Sequence, residues 1–294
     1  MVLLAQATDA IERALQGRSS AHLIATGAGL VAVGLLASTG VARLFSLVTR
    51  GRPIEKPPPS PLPASFRPAL LPVTIALILG PALVWRWLAG PRRGAGEAAA
   101  EAVDLHAFGL SSAIVAAVLV LGLFRWTRHF GGGLLDLGLR WKAAARPLAL
   151  AVALYVAYAP VQLGALALES GACGLLGREP QRQQAVLAFA SDPLAQRDLV
   201  VLIGFVVCAP LVEELLFRGV LQRFLGRLLP PWLAIGATAA CFTLPHDGGR
   251  LAVFALGAAL SWLMARTGNL LAPLLFHMLH NGLVLFLIAR TGGA

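Results

Sequence analysis

Apolar runs of about 20 residues, separated by short polar or proline-rich segments, recur along most of this 294-residue chain. A helix of that length crosses the ~30 Å hydrocarbon layer of a bilayer, and a soluble domain has no use for so many of them. The runs therefore predict an all-α fold, a multi-pass transmembrane helical bundle of about eight spans. Composition agrees, with 57% of residues hydrophobic, 13% charged and a mean hydropathy of +0.76. The net charge of +10 does not imply a nucleic-acid partner, because the basic residues lie between apolar runs instead of forming one dense patch with aromatics between them. Membrane lipids are the partners such a distribution suits. Cys173, Cys208 and Cys241 have no metal-type spacing and read as small buried hydrophobes, with no disulfide framework.

Residues 1–20 carry Asp9, Glu12, Arg13 and Arg18 around a loose apolar stripe, which predicts an interfacial helix and not a signal peptide. Spans are expected at about 21–48, 69–89, 105–124 and 147–168, with a proline-rich linker at 53–68 and a loop at 91–104. Residues 125–146 combine five basic residues with an apolar segment, a pattern suited to lying along headgroups. A polar connection from Glu169 to Asp198 leads to a fifth span starting near Leu199. Pro230-Pro231 ends it and opens a sixth that runs to His246; after a break at Asp247–Arg250, a seventh helix is expected at 251–266 and an eighth at 270–290. The loops joining spans 1–2, 3–4, 5–6 and 7–8 hold 14 of the 24 basic residues, which assigns that side to the cytoplasm. The arginine bias, with abundant Ala and Gly, fits a GC-rich bacterial genome, hence a bacterial cytoplasmic membrane.

Charges inside an apolar run need a reason, since an ionisable side chain at membrane depth costs from about 2.5 kcal/mol upward. Residues 208–219 contain Glu213, Glu214 and Arg218. Glu214 and Arg218 are four apart and share a helix face, so they can pair as structural support. Glu213 points about 100° away and is left free for chemistry. Two further polar clusters follow, Phe242-x-x-x-His246 and His277-x-x-x-Asn281. Glu213 lies 17 residues before Pro230 and His246 lies 15 after Pro231, so an antiparallel hairpin brings them to one level. His277 joins that level only if the hairpin of spans 5 and 6 projects about 12 Å beyond the turn before span 8.

These residues carry a resemblance to a known family. Pro210-Leu-Val-Glu-Glu-Leu-Leu-Phe-Arg-Gly219, then Phe242 to His246, then Gly257, Arg266-Thr-Gly-Asn-Leu270 and His277 to Asn281, resemble the CPBP family of intramembrane CAAX prenyl endopeptidases and bacteriocin-processing or immunity proteins. Leu137-Gly-Leu-Arg140 is similar to a segment preceding the core of that family. The resemblance covers about residues 134–288 and implies two parts, a membrane extension at 1–124 and a protease core at 125–294. It also implies an intramembrane endopeptidase acting on a membrane-associated protein or peptide, with its active site opening toward the cytoplasm. Glu213 and His246 would activate a water, and His277 and Asn281 would stabilise the oxyanion. No cofactor is required on the first reading. The alternative is zinc or another divalent metal held by Glu213, His246 and His277; against it, no acceptor that would orient either histidine is visible in the sequence. Two other functions remain open: a non-catalytic immunity or scaffolding protein on the same fold, and a proton-coupled transporter, for which the expected internal repeats are absent.

Overall fold

The computed structural model describes residues 19–48, 105–129, 138–181, 183–192, 194–246 and 248–291. The expected interfacial helix, proline-rich linker, second span and 91–104 loop lie outside these residues. The described chain forms eight helices and no strand: α1 (Ser20–Val48), α2 (Leu105–His129), α3 (Ala145–Leu175), α4 (Gln184–Ser191), α5 (Leu199–Leu228), α6 (Pro231–Thr243), α7 (Arg250–Thr267) and α8 (Leu271–Thr291). The all-α membrane bundle is thus the fold observed. Five of the described helices, α1, α2, α3, α5 and α8, contain stretches long and apolar enough to cross a membrane. The expected sixth and seventh spans exist as helices but are shorter or more polar; α6 has 13 residues and ends three positions before His246. They pack on each other and on the core, so neither has to satisfy lipid on all sides.

Close backbone approach sets the helix packing. α1 runs antiparallel to α3: a Cβ on Gly27 would sit 2.8 Å from the Gly164 carbonyl oxygen, and one on Gly34 would sit 2.7 Å from the Val161 nitrogen. Small residues at such crossings let membrane helices touch along their backbones, where lipid offers no hydrophobic drive for association. The same contact keeps α3 helical as far as Leu175, beyond the expected end at 168, because Gly171 and Gly174 still face Ile24 and Ser20. α2 crosses α5 at Gly109 and Gly204, where an added Cβ on Gly204 would overlap Gly109. Phe108 stacks on Phe205 at 4.4 Å, and His106 Nδ1 lies 2.6 Å from Asp198 Oδ2 at the start of α5. The main core joins Leu150, Leu154 and Tyr158 of α3 to Leu216, Phe217 and Leu221 of α5, Phe242 of α6, Leu256 and Leu260 of α7 and Phe276 of α8.

α5 is not one regular helix. Gly204–Cys208 and Leu215–Leu221 are π-helical and flank the α-helical turn Ala209–Glu214, so both glutamates sit between two irregular stretches. π stretches are uncommon and concentrate at functional sites. At about 45 Å the whole helix is longer than the bilayer core, so it projects or tilts.

Candidate active site

Glu214 and Arg218 are fully buried, and Arg218 Nη1 donates to Glu214 Oε1 at 2.8 Å. Arg218 Nη2 also donates to the Gly257 carbonyl at 3.1 Å, and its guanidinium lies 4.5 Å from the centre of the Phe242 ring. Gly257 allows the close approach there: a Cβ would come within 3.1 Å of Phe242 and 3.2 Å of the Ala239 backbone, so its neighbours would have to give way by a few tenths of an ångström. The guanidinium is thus held by a carboxylate, a carbonyl and a π face, the surroundings a buried cation needs.

Glu214 has a second partner. His277 Nδ1 lies 2.9 Å from the same Oε1. An ionised carboxylate only accepts, so Nδ1 carries the hydrogen and Nε2 is left toward Glu213, whose Oε2 is 3.7 Å away. That separation is too long for a direct hydrogen bond, but one water about 2.8 Å from each atom would bond both. The Glu213 side chain is 30% exposed where Glu214 is closed off, as the 100° difference in direction predicts.

His246 follows the end of α6. Its Nδ1 donates to the Phe242 carbonyl at 2.8 Å, leaving Nε2 as the free acceptor. Its ring packs on Phe242 at 4.9 Å, and Phe242 meets His277 edge-on at 5.8 Å. One phenyl ring therefore touches both imidazoles and the arginine. No hydrogen bond or ion pair joins His246 to Glu213 among the described residues; the imidazole against Glu213 is that of His277.

The side-chain amide of Asn281 donates to the Phe205 carbonyl at 2.9 Å. Local chemistry explains why that carbonyl is free. In the first π stretch the Ala209 N–H bonds to the Gly204 carbonyl. The next donor position is Pro210, which has no N–H, so Phe205 has no partner within its own helix. Asn281 supplies one, and a single N–H of its amide is left for other use.

Three contributors were not singled out by sequence. Phe242 stood in a motif whose chemistry was read from His246. Phe205 gave no signal except Pro210 five positions later. Glu169 had been read only as the start of a polar connection, yet its two carboxylate oxygens accept the Arg250 and Leu251 N–H groups at 3.0 and 2.9 Å. It thereby caps α7 just after the Gly248-Gly249 break, where Gly249 has φ +62° and its N–H bonds to the Gln181 carbonyl. The segment that follows His246 is thus tied down from α3 and the connection after it.

The sequence argument against a metal needs correction in one respect. Both histidines do have an orienting acceptor, Glu214 for His277 and the Phe242 carbonyl for His246. Among the described residues no group of three His, Cys, Asp or Glu side chains is gathered closely enough to hold an ion.

Residues 195–283, which contain α5 to most of α8 and all four candidate catalytic residues, match the family described as type II CAAX prenyl endopeptidase Rce1-like. No curated protein and no solved structure matches the chain.

Proposed function

We propose that this chain, a member of the CPBP and CAAX protease family through residues 195–283, is an intramembrane endopeptidase that hydrolyses a membrane-associated substrate at Glu213. The observation that carries the reading is the Glu213, His277 and Glu214 cluster, two carboxylates bracketing one imidazole at 3.7 and 2.9 Å within an apolar bundle. Glu213 takes a proton from a water whose oxygen attacks the scissile carbonyl carbon, with the His246 Nε2 lone pair as a second acceptor for that water. The proton then passes to His277 Nε2, which is already neutral with its Nδ1 hydrogen committed to Glu214. The imidazolium so formed, held by the Glu214 carboxylate, donates to the oxyanion together with the remaining N–H of Asn281. Each such donor contributes about 3 to 4 kcal/mol in comparable sites. Collapse breaks the C–N bond, and the leaving amine takes the proton from His277.

The substrate class follows from the family alone: prenylated proteins ending in a CAAX motif are the first to try. The test incubates purified full-length protein with a library of membrane peptides, prenylated and unprenylated, beside a Glu213→Ala control. Cleavage by the native chain and none by the variant is expected. A library left intact by the native chain, in a preparation shown to be folded, would favour the non-catalytic scaffold.

A further inference from the structure

α1 lies outside the matched residues, and its last turns meet α7 in a notch that the catalytic reading leaves unused. The notch is a shallow, open one of about 400 Å³, lined by Thr39, Ala42, Arg43, Ser46, Leu47 and Arg266. Arg266 is fixed in it: Nη2 donates to Ser46 Oγ at 2.7 Å, and Ser46 in turn donates to the Ala42 carbonyl at 2.9 Å. Arg43 is exposed and makes no ion pair among the described residues. The residues around it include two arginines and two hydroxyl side chains and, among the described residues, no carboxylate, while the surface it presents is mostly apolar. Two arginines beside one notch favour an anion there.

Depth in the membrane narrows the choice of anion. α1 has 29 residues, about 43 Å, so with the bilayer core near 30 Å about one turn emerges at each end. Arg43 is five residues before the end, which places it at the boundary between acyl chains and headgroups. Arg266, next to last in α7, reaches the same boundary. This is also the basic end of the molecule: the antiparallel pairing of α1 with α3 sets it beside Arg140, Lys142 and Arg146, the side assigned to the cytoplasm. Leu44 and Leu47, 62% and 75% exposed, continue the apolar surface from the notch toward the bilayer. An arginine pair binds a phosphodiester by forked hydrogen bonds, and the apolar wall suits the glycerol and first methylenes below it.

We propose that the notch between α1 and α7 binds the phosphodiester headgroup of an anionic phospholipid through Arg43 and Arg266. The site is independent of the proposed hydrolysis and is tested by binding alone. Purified full-length protein is reconstituted in nanodiscs of phosphatidylcholine containing a minor fraction of phosphatidylglycerol, and the lipids retained on release are counted by native mass spectrometry. One phosphatidylglycerol retained in preference to phosphatidylcholine is expected, with at least a fivefold drop in its occupancy for Arg43→Ala and no change for Arg146→Ala, an exposed arginine outside the notch. Arg266→Lys, which keeps the charge and loses the fork, is expected to fall between. Equal retention by native protein and Arg43→Ala, or an equal loss in Arg146→Ala, would overturn the proposal. Displacement of the lipid by inorganic phosphate at matched concentration would also overturn it, by showing a site for the free anion.

Discussion

The two faces of the central turn of α5 carry adjacent glutamates in opposite settings. Glu214 is closed off from solvent, shares one oxygen between Arg218 and His277, and belongs to a cluster extending to Gly257 and Phe242. Glu213 is partly exposed, and among the described residues its Oε2 faces His277 Nε2 at 3.7 Å. The closed face is built like a support, with a charge balanced by Arg218, though Glu214 Oε2 and Arg218 Nε are buried there with no hydrogen-bond partner among the described residues. The open face keeps a carboxylate whose hydrogen bonds are still to be made. The two are linked, because the imidazole that faces Glu213 is oriented from behind by Glu214. Orientation of a reactive group by a buried acceptor is the logic of a catalytic triad, here with the acceptor and the proposed base next to each other in sequence.

The comparison breaks most sharply at Glu213. Glu213→Ala should lower turnover by about 10³-fold or more while leaving yield and thermal unfolding unchanged, since only the open face loses a group. Near-native turnover in that variant would remove Glu213 from the chemistry. On the closed face the expectation reverses. Arg218→Ala leaves Glu214 buried without its cation, at about 3 to 5 kcal/mol, and should reduce yield and unfolding temperature along with activity. A fully stable but inactive Arg218→Ala protein would move the arginine from support to chemistry.

A smaller effect separates the two uses of Asn281. Asn281→Ala strands the Phe205 carbonyl, for about 1 to 3 kcal/mol of stability. Pro210→Ala returns the missing N–H to the helix, so the double variant should recover stability relative to Asn281→Ala. If its activity stays low while stability returns, the amide acts on the oxyanion; if both return, Asn281 serves only to hold the π stretch. Smaller still is Glu169→Ala. Loss of an N-cap costs about 1 kcal/mol, and because the capped turn follows His246, the change should appear in kcat more than in KM.

Much of this arrangement was legible in sequence because it rests on helical spacing. The starts of α1, α2 and α5, the break after His246 and the pairing of Glu214 with Arg218 all follow from the 3.6-residue period and from proline and glycine signals. Spacing within one helix cannot reveal a second partner on another, and so the contact from Glu214 to His277 was missed, although a carboxylate has lone pairs for both. The π stretches were hidden for a related reason: counting at 100° per residue assumes the regular helix that Gly204 and Pro210 interrupt. His246 was expected on a helix, but α6 stops at Thr243, and the ring is held by a carbonyl of the last turn and not by its helical neighbours.

The smallest expected effect concerns metal, and it tests the open face again. An ion there would need Glu213, His277 and His246 as ligands. The orienting acceptors for such a set exist, so second-sphere chemistry does not argue against zinc. Glu213 Oε2 and His277 Nε2 approach within 3.7 Å, and His246 and His277 both pack on the Phe242 ring. Structural and catalytic zinc sites hold three or more protein donors within about 2.0 to 2.3 Å of the ion, which requires all three to converge on one point. The expectation of a metal-free site rests on the proposed roles, in which His277 Nε2 donates to the oxyanion, as a metal-bound imidazole nitrogen cannot. Protein purified without added metal is expected to contain well under one zinc per chain, and prolonged dialysis against a strong chelator should leave cleavage unchanged. One tightly held zinc per chain, with activity lost on its removal and restored on its return, would mean that Glu213 is a ligand instead of a base.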